Sequence, residues 1–187
     1  MSSQQLPATK TLVSPADVFA ALREQWTALW GDTPSRGSLL VLVAQWALET
    51  GRGASCIAWN LGNIRWTAGY PSDWCEFPTT EVIDGATVHV VGRFRAFASL
   101  EDGARDYLAT LRHEFATAWP FVLSGDAAGF AHAAKEADYY TGSEATYAAD
   151  MKSLFKEFSR TLPDLETEVD TSDASTFEAV ASEAAPA

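Results

Sequence analysis

Apolar residues recur at helical spacing in several stretches, and each stretch opens at a residue suited to cap a helix. The first follows Ser14, where Pro15 fits the first helical position and Asp17 can reach back to the cap. We expect this helix to end near Gly31, with an apolar face made of Val18, Leu22, Trp26 and Leu29. Residues 38–50 are apolar almost all round, as in a helix buried in a core, and Gly51 supplies the stop signal.

Two more amphipathic helices are predicted after caps at Ser99 and Ser143, with a shorter helix over residues 127–137 between them. Residues 52–78 lack clear periodicity and form an aromatic-rich loop region. Asp84-Gly85 separates two β-prone runs, which is a strong hairpin signal because a type I′ turn needs positive φ at both central residues. The pattern therefore predicts a mainly α (α+β) domain with one β-hairpin inserted after the second long helix.

Composition and charge narrow the classes of function. The chain has 187 residues, 47% of them hydrophobic, so it can bury a real core. Its 13 bases and 25 acids give a net charge of −12. This balance argues against nucleic acid, whose non-specific binding needs Lys and Arg on phosphates, and against an anionic membrane surface. The longest apolar run, residues 39–48, is too short to span a bilayer, so no membrane insertion is expected.

The acidic charge is concentrated at the C-terminus. Residues 163–187 hold seven acids and no base, and the 18 acids and 13 bases of the remainder leave a net charge of −5. We therefore predict a flexible N-terminus over residues 1–13, a folded domain over 14–162 and an acidic disordered tail over 163–187. Cys56 and Cys75 fit no zinc pattern, and they form either a disulfide or two free thiols.

Glu49 is the residue that most suggests chemistry. It ends the apolar helix, where burial and the negative end of the helix dipole both oppose ionisation of a carboxyl. A carboxyl with a raised pKa can remain protonated near neutral pH and act as a general acid. Glu81, on the first predicted strand, is the natural second carboxyl, since glycoside hydrolysis typically uses two. Pairing of Glu49 with Arg52 or Arg65 and an exposed Glu81 are the plain structural alternatives.

Several motifs resemble, in order, those of the bacterial glucosaminidase family of peptidoglycan hydrolases, which includes flagellar rod hydrolases and autolysins. Residues 44–53, Ala-Gln-Trp-Ala-Leu-Glu-Thr-Gly-Arg-Gly, are similar to its Ala-Leu-Glu-Ser-Gly-Trp-Gly segment. Residues 60–65, Asn-Leu-Gly-Asn-Ile-Arg, resemble its Asn-Leu-Phe-Gly-Ile-Lys segment. The Thr-x-Glu of residues 79–81, the Phe-Arg that opens residues 94–99 and the tyrosines from residue 139 onward follow in the family's order.

This resemblance implies a lysozyme-like helical domain with the hairpin as a lobe, and it supports catalytic roles for Glu49 and Glu81. It also implies that Tyr139 and Tyr147 line the cleft. Sugar rings pack on flat aromatic side chains, so loop aromatics are further candidates for contacts with glycan. The complete set of predicted substrate-binding residues is Tyr139, Tyr147, Trp66, Asn60, Tyr70 and Trp74. No metal and no cofactor is expected.

The resulting expectation is a glycosidase that cleaves the β-1,4 bond after N-acetylglucosamine in peptidoglycan. Water activated by Glu81, or attack by the substrate's own acetamido oxygen, would complete the reaction, and the sequence does not choose between these routes. N-acetylmuramidase or lytic transglycosylase activity on the same fold, and a non-catalytic glycan-binding or structural module, are the alternatives.

The expected partners are peptidoglycan glycan strands. The sequence does not identify an immunity protein or a delivery machinery. The N-terminus shows no basic segment followed by an apolar one, as a secretory signal would. Because the substrate lies in the periplasm or cell wall, phage-type release or injection-type delivery is expected.

Overall fold

The computed structural model describes residues 3–83 and 86–165, which contain six helices and two strands. Two helices precede a two-stranded hairpin and four follow it, an order that the sequence predicted except for the short helix Trp119–Ser124. In chain order the elements are α1 Pro15–Trp30, α2 Arg36–Thr50, β1 Asp73–Ile83, β2 Ala86–Ala96, α3 Leu100–His113, α4 Trp119–Ser124, α5 Ala127–Glu136 and α6 Glu144–Thr161.

The predicted capping of α1 is confirmed in detail. The Ser14 hydroxyl accepts a hydrogen bond from the Asp17 backbone N–H at 3.2 Å, and the Asp17 carboxylate accepts one from the Ser14 backbone N–H at 3.3 Å. Both bonds use groups that the first helical turn leaves without partners. Gly31 ends the helix in the left-handed conformation, at a φ of 77°.

Helix α2 forms the centre of the core, and ten of its residues from Ser38 to Ala47 are buried. The predicted start at Ser38 is wrong by one turn, because Ser35 is the N-cap and its hydroxyl accepts from the Ser38 backbone N–H at 3.0 Å. Apolar spacing does not show this turn, since Arg36 and Gly37 are not apolar. Helices α1, α4, α5 and α6 all pack on α2.

The hairpin is antiparallel, as predicted, but longer than predicted. Its pairing runs from Asp73 opposite Ala96 to Ile83 opposite Ala86, whereas the sequence pattern indicated a first strand that starts at Thr79. The extra pairs are held by side chains from both strands, including the stacked rings of Phe77 and Phe94, whose centroids lie 4.1 Å apart. The predicted turn at residues 84–85 lies outside the described residues.

The segment before α1 contacts the body of the protein. The Leu6 backbone N–H donates to the Trp74 carbonyl at 2.7 Å, and the Thr11 backbone N–H donates to the Cys56 carbonyl at 3.0 Å. The predicted flexibility of residues 1–13 stays a prediction, and most of the predicted acidic tail, residues 166–187, lies outside the described residues. Within the described part, no helix is long and apolar enough to cross a bilayer.

The two cysteines are separate buried thiols, so the structure contains no Cys56–Cys75 disulfide. Cys56 belongs to the main core, whereas Cys75 packs with Ala58, Phe94 and Ala96 in a small second cluster beneath the hairpin. Burial raises the pKa of both thiols, because it disfavours the charged thiolate.

Candidate active site

Glu49 lies in the last turn of α2, where the buried helix reaches the surface. Gly51 ends the helix at a φ of 55°, and the chain then turns back across the helix end. The Asn63 side-chain amide, itself on a residue with a φ of 53°, donates to the Glu49 backbone carbonyl at 3.2 Å. This bond satisfies one of the carbonyls that a helix end leaves without a partner and fixes the loop beside Glu49.

The Glu49 carboxyl is partly buried and hydrogen-bonded. The Tyr147 hydroxyl, on the first turns of α6, donates to Glu49 Oε1 at 3.0 Å. Burial raises the pKa of Glu49 above its ordinary value of 4.5, and hydrogen bonds from Tyr147 and Gln45 oppose that rise. The group therefore holds its proton to a higher pH than an exposed glutamate, which is the property that a general acid needs.

A network of tyrosines around Gln45 lies beneath the carboxyl. The Gln45 amide donates to the Tyr139 hydroxyl at 2.7 Å, and that hydroxyl donates to the Gly62 carbonyl at 3.2 Å. The Tyr107 hydroxyl donates to Gln45 Oε1 from the other side. Gln45 is completely buried, so this network fixes side chains from three separate parts of the chain beside Glu49.

Two contacts hold Tyr147 and its helix: a ring stack with the loop before α6, and an ion pair between α6 and the end of α2. The ring of Tyr140 stacks on the ring of Tyr147 with centroids 3.8 Å apart. Arg52, just after α2, forms a two-bond ion pair with Glu157 of α6. The stack limits the movement of the tyrosine ring, and the ion pair joins the two helix surfaces near Glu49.

Glu49 opens into a pocket of about 340 Å³ between the helical body and the base of the hairpin. Phe115 and Tyr139 meet edge to face on its wall, with ring centroids 4.6 Å apart. The remaining lining residues are mostly polar or charged, and they are Gly62, Asn63, Ile64, Arg65, Thr67, Arg95, Glu114 and Asp138. An apolar wall with convergent polar groups suits a sugar, which has C–H faces and hydroxyl edges.

Of the predicted site residues, Tyr139 and Tyr147 lie beside Glu49. Trp66 and Trp74 lie on the hairpin side, where they contact each other at a centroid distance of 5.6 Å, and neither lines the Glu49 pocket. Tyr70 lines a different cavity, and its hydroxyl donates to Asp106 at 2.9 Å. These three aromatics stay predicted glycan contacts, and none of them lines the Glu49 pocket.

Asn60 has a different place from the one predicted. Its side chain is 3% exposed, donates to the carbonyls of Ile64 and Arg95 at 2.9 Å, and accepts from the Ile64 backbone N–H at 2.9 Å. These bonds join the loop to β2 and leave the amide little capacity for a sugar. The structure therefore makes Asn60 a residue that shapes the pocket loop.

Glu81 lies in β1 opposite Val88, near the end of the hairpin. Its side chain lies outside the described residues, so its catalytic role stays a prediction. The sequence reasoning did not find Arg95, Glu114 or Gln45 as site residues, although Arg95 stands in the quoted Phe-Arg motif and Gln45 lies one turn before Glu49. Among the described side chains, no group of three or more His, Cys, Asp or Glu is placed to hold a metal ion.

A mainly helical domain with a β-hairpin and a partly buried carboxyl at a pocket is typical of a glycosidase. Comparison with protein families identifies the particular family. Residues 38–160 match Glucosaminidase, described as mannosyl-glycoprotein endo-beta-N-acetylglucosaminidase, and the chain belongs to this family. The stretch includes the hairpin and nearly all of α2 and α6.

Solved structures with the same fold include three that are informative. A peptidoglycan hydrolase mutant from Sphingomonas sp. A1 is 26% identical, with a TM-score of 0.57 over 75% of this chain and 92% of its own. The glycoside hydrolase domain of Salmonella typhimurium FlgJ is 22% identical, with a TM-score of 0.54 over 80% and 91%. The catalytic domain of the Listeria monocytogenes autolysin Auto is 17% identical, with a TM-score of 0.56 over 82% and 89%. Comparison with curated proteins finds no match.

Proposed function

We propose that this protein hydrolyses peptidoglycan at the β-1,4 bond after N-acetylglucosamine, with Glu49 as the general acid. The observation that carries the proposal is the Glu49 carboxyl itself, which is partly buried, hydrogen-bonded by Tyr147 and open to a pocket. The family and the peptidoglycan hydrolases of the same fold support the substrate class. The site of action would accordingly be the cell wall or periplasm.

In this proposal Glu49 donates its proton to the oxygen of the leaving sugar as the glycosidic bond breaks. Burial raises the pKa of the carboxyl and so favours its protonated form beforehand, and the Tyr147 hydroxyl stabilises the carboxylate left after the transfer. The network around Gln45 holds the acid and the tyrosines in place, so little reorganisation is needed during the reaction.

A second group must supply or assist the nucleophile at the sugar's anomeric carbon. Glu81 is our candidate, either as the base that activates water or as the group that orients the substrate's acetamido oxygen for attack. The Thr-x-Glu sequence of residues 79–81, which resembles the segment that carries the family's second carboxyl, supports this role. The two routes differ in the stereochemistry of the first-formed product, which NMR of the released sugar reads directly.

The identity of the cleaved bond is tested by mass spectrometry of the fragments released from purified sacculi. The new sugar ends of these fragments are first reduced. Cleavage after N-acetylglucosamine gives reduced glucosamine ends. Reduced muramic acid ends would instead show an N-acetylmuramidase, and anhydromuramic ends would show a lytic transglycosylase. Binding to sacculi without any soluble fragment would show a non-catalytic glycan-binding module and contradict the proposal.

A further inference from the structure

A second carboxylate, Glu114, lies on the wall of the Glu49 pocket. It directly follows α3, and its side chain is 46% exposed. Glu49 and Glu114 are far apart in sequence, and the packing of the helices around the base of the hairpin brings them to one pocket. An exposed glutamate is ordinarily a mobile surface side chain. Whether Glu114 can act as a binding group therefore depends on the contacts that hold it.

Arg95 of β2 fixes the orientation of Glu114. Arg95 Nη2 donates to Glu114 Oε1 at 2.8 Å, and the arginine itself is only 3% exposed. Its Nη1 donates to Asp106 and Thr110 of α3, and its guanidinium lies 3.5 Å from the centre of the Tyr70 ring. Because the arginine is held on several sides, the carboxylate that it binds is held as well.

The charge of Arg95 is already balanced without Glu114. Asp106 lies 3.1 Å from the same guanidinium, and its side chain is 14% exposed, so a nearly buried carboxylate already pairs with the arginine. Glu114 is therefore a second carboxylate on one guanidinium, and their mutual repulsion opposes folding. Burial is the main cause of the raised pKa of Asp106, and the charge of Glu114 adds to it. A carboxylate that repels its neighbour and faces a pocket is a candidate ligand-binding group.

The chemistry of Glu114 specifies what it can bind. Arg95 occupies Oε1, and among the described residues no donor is bonded to Oε2. A carboxylate oxygen accepts hydrogen bonds and cannot donate them, so the matching ligand groups are N–H and O–H. An N-acetylated sugar has both, as its acetamido N–H and its ring hydroxyls.

We propose that Glu114 is a substrate-binding residue that accepts a hydrogen bond from the acetamido N–H or a hydroxyl of the sugar in the Glu49 pocket. This inference rests on the proposed function, because it takes the occupant of the pocket to be an N-acetylated glycan. It adds to that function a residue that sets affinity and orientation rather than proton transfer.

The substitution Glu114→Gln separates substrate contact from structural support. The glutamine side-chain oxygen can still accept from Arg95, whereas its amide presents a donor where the substrate needs an acceptor. Glu101→Gln, at an exposed position in the first turn of α3, is the matched control for loss of one negative charge. Both are made in the Glu49→Gln background and titrated calorimetrically with peptidoglycan glycan oligosaccharides.

We expect Glu114→Gln to weaken the oligosaccharide Kd about tenfold, in line with the loss of one charge-assisted hydrogen bond, and Glu101→Gln to leave it unchanged. In the enzyme with Glu49 intact, Glu114→Gln should raise KM about tenfold and change kcat less than threefold. Glu114→Asp, which keeps the charge but shortens its reach, should give an intermediate Kd.

Unchanged Kd and KM in both Glu114 variants, with melting temperatures near that of the parent, would overturn the proposal. The same result follows if Glu101→Gln weakens binding as much as Glu114→Gln does, because general charge would then be the cause. Hydrolysis of the oligosaccharide by Glu49→Gln, seen by mass spectrometry of the recovered sugar, would contradict only the role of Glu49.

Discussion

Replacing Tyr147 with Phe removes one hydrogen bond from the candidate acid and leaves the aromatic ring in place. The hydroxyl lies 3.0 Å from Glu49 Oε1, and the ring stays stacked on Tyr140. The donor stabilises the ionised carboxylate more than the protonated acid, so it lowers the pKa of Glu49 against the larger upward effect of burial. Tyr147→Phe therefore raises that pKa further.

The expected size follows from the strength of one hydrogen bond. A hydrogen bond to a charged group contributes about 1.5–3 kcal/mol, and one pKa unit corresponds to about 1.4 kcal/mol. Glu49 is only partly buried, and water can take the place of the lost hydroxyl, so we expect the low end, a rise of about one unit. For a general acid, this moves the alkaline limb of the kcat/KM profile to higher pH.

The assay is the pH dependence of kcat/KM on a soluble peptidoglycan glycan, with Tyr140→Phe as control. The Tyr140 hydroxyl donates to the Ala131 carbonyl at 2.9 Å, away from Glu49, and the phenyl ring keeps the stack on Tyr147. Tyr147→Phe should shift the alkaline limb upward, and Tyr140→Phe should not. An unmoved or downward-shifted limb in Tyr147→Phe would refute the reasoning that Glu49 is the acid under Tyr147's control.

Three further predictions concern stability and the buried groups. Because the pKa of Glu49 is raised, wild-type stability falls as the pH rises from about 4.5 through the folded-state pKa. In calorimetric scans, Glu49→Gln should therefore have a higher melting temperature than wild type at pH 7 and a similar one at pH 4. Asn60→Ala leaves the Ile64 backbone N–H without its partner, and chemical denaturation should show a loss of about 1–3 kcal/mol; an unchanged midpoint would contradict its place in the loop. Cys56 and Cys75 should react with a thiol reagent only after unfolding, and a failure to react even then would indicate a disulfide.

Local signals predicted the helix ends well, because capping depends on residues within one turn. Ser14, Ser99 and Ser143 cap helices as predicted, each through its own hydroxyl. The start of α2 was missed because its first two residues, Arg36 and Gly37, are not apolar and so do not mark it. The extent of the hairpin was missed for a different reason, since the pairing of Asp73 with Ala96 depends on contacts between distant residues.

The candidate acid could be predicted from sequence, but most of its surroundings could not. Glu49 stands out because a carboxyl ends an apolar helix, which is a local pattern. Arg95 and Glu114 meet only because the Arg95 side chain reaches from β2 to the end of α3, and no spacing rule brings them together. Trp66 and Trp74 were predicted from loop composition, which identifies aromatics but does not show that they pair with each other outside the pocket.

The rate of glycan hydrolysis by Glu49→Gln tests the central claim most directly. Glutamine keeps the size and much of the hydrogen bonding of Glu49 but has no acidic proton to transfer to the leaving oxygen. Glu24→Gln, at an exposed position on α1, serves as the charge-matched control. The account predicts that Glu49→Gln loses about 10²–10⁴-fold in kcat while remaining folded and that Glu24→Gln stays at the wild-type rate. Full activity of folded Glu49→Gln on purified sacculi would contradict it.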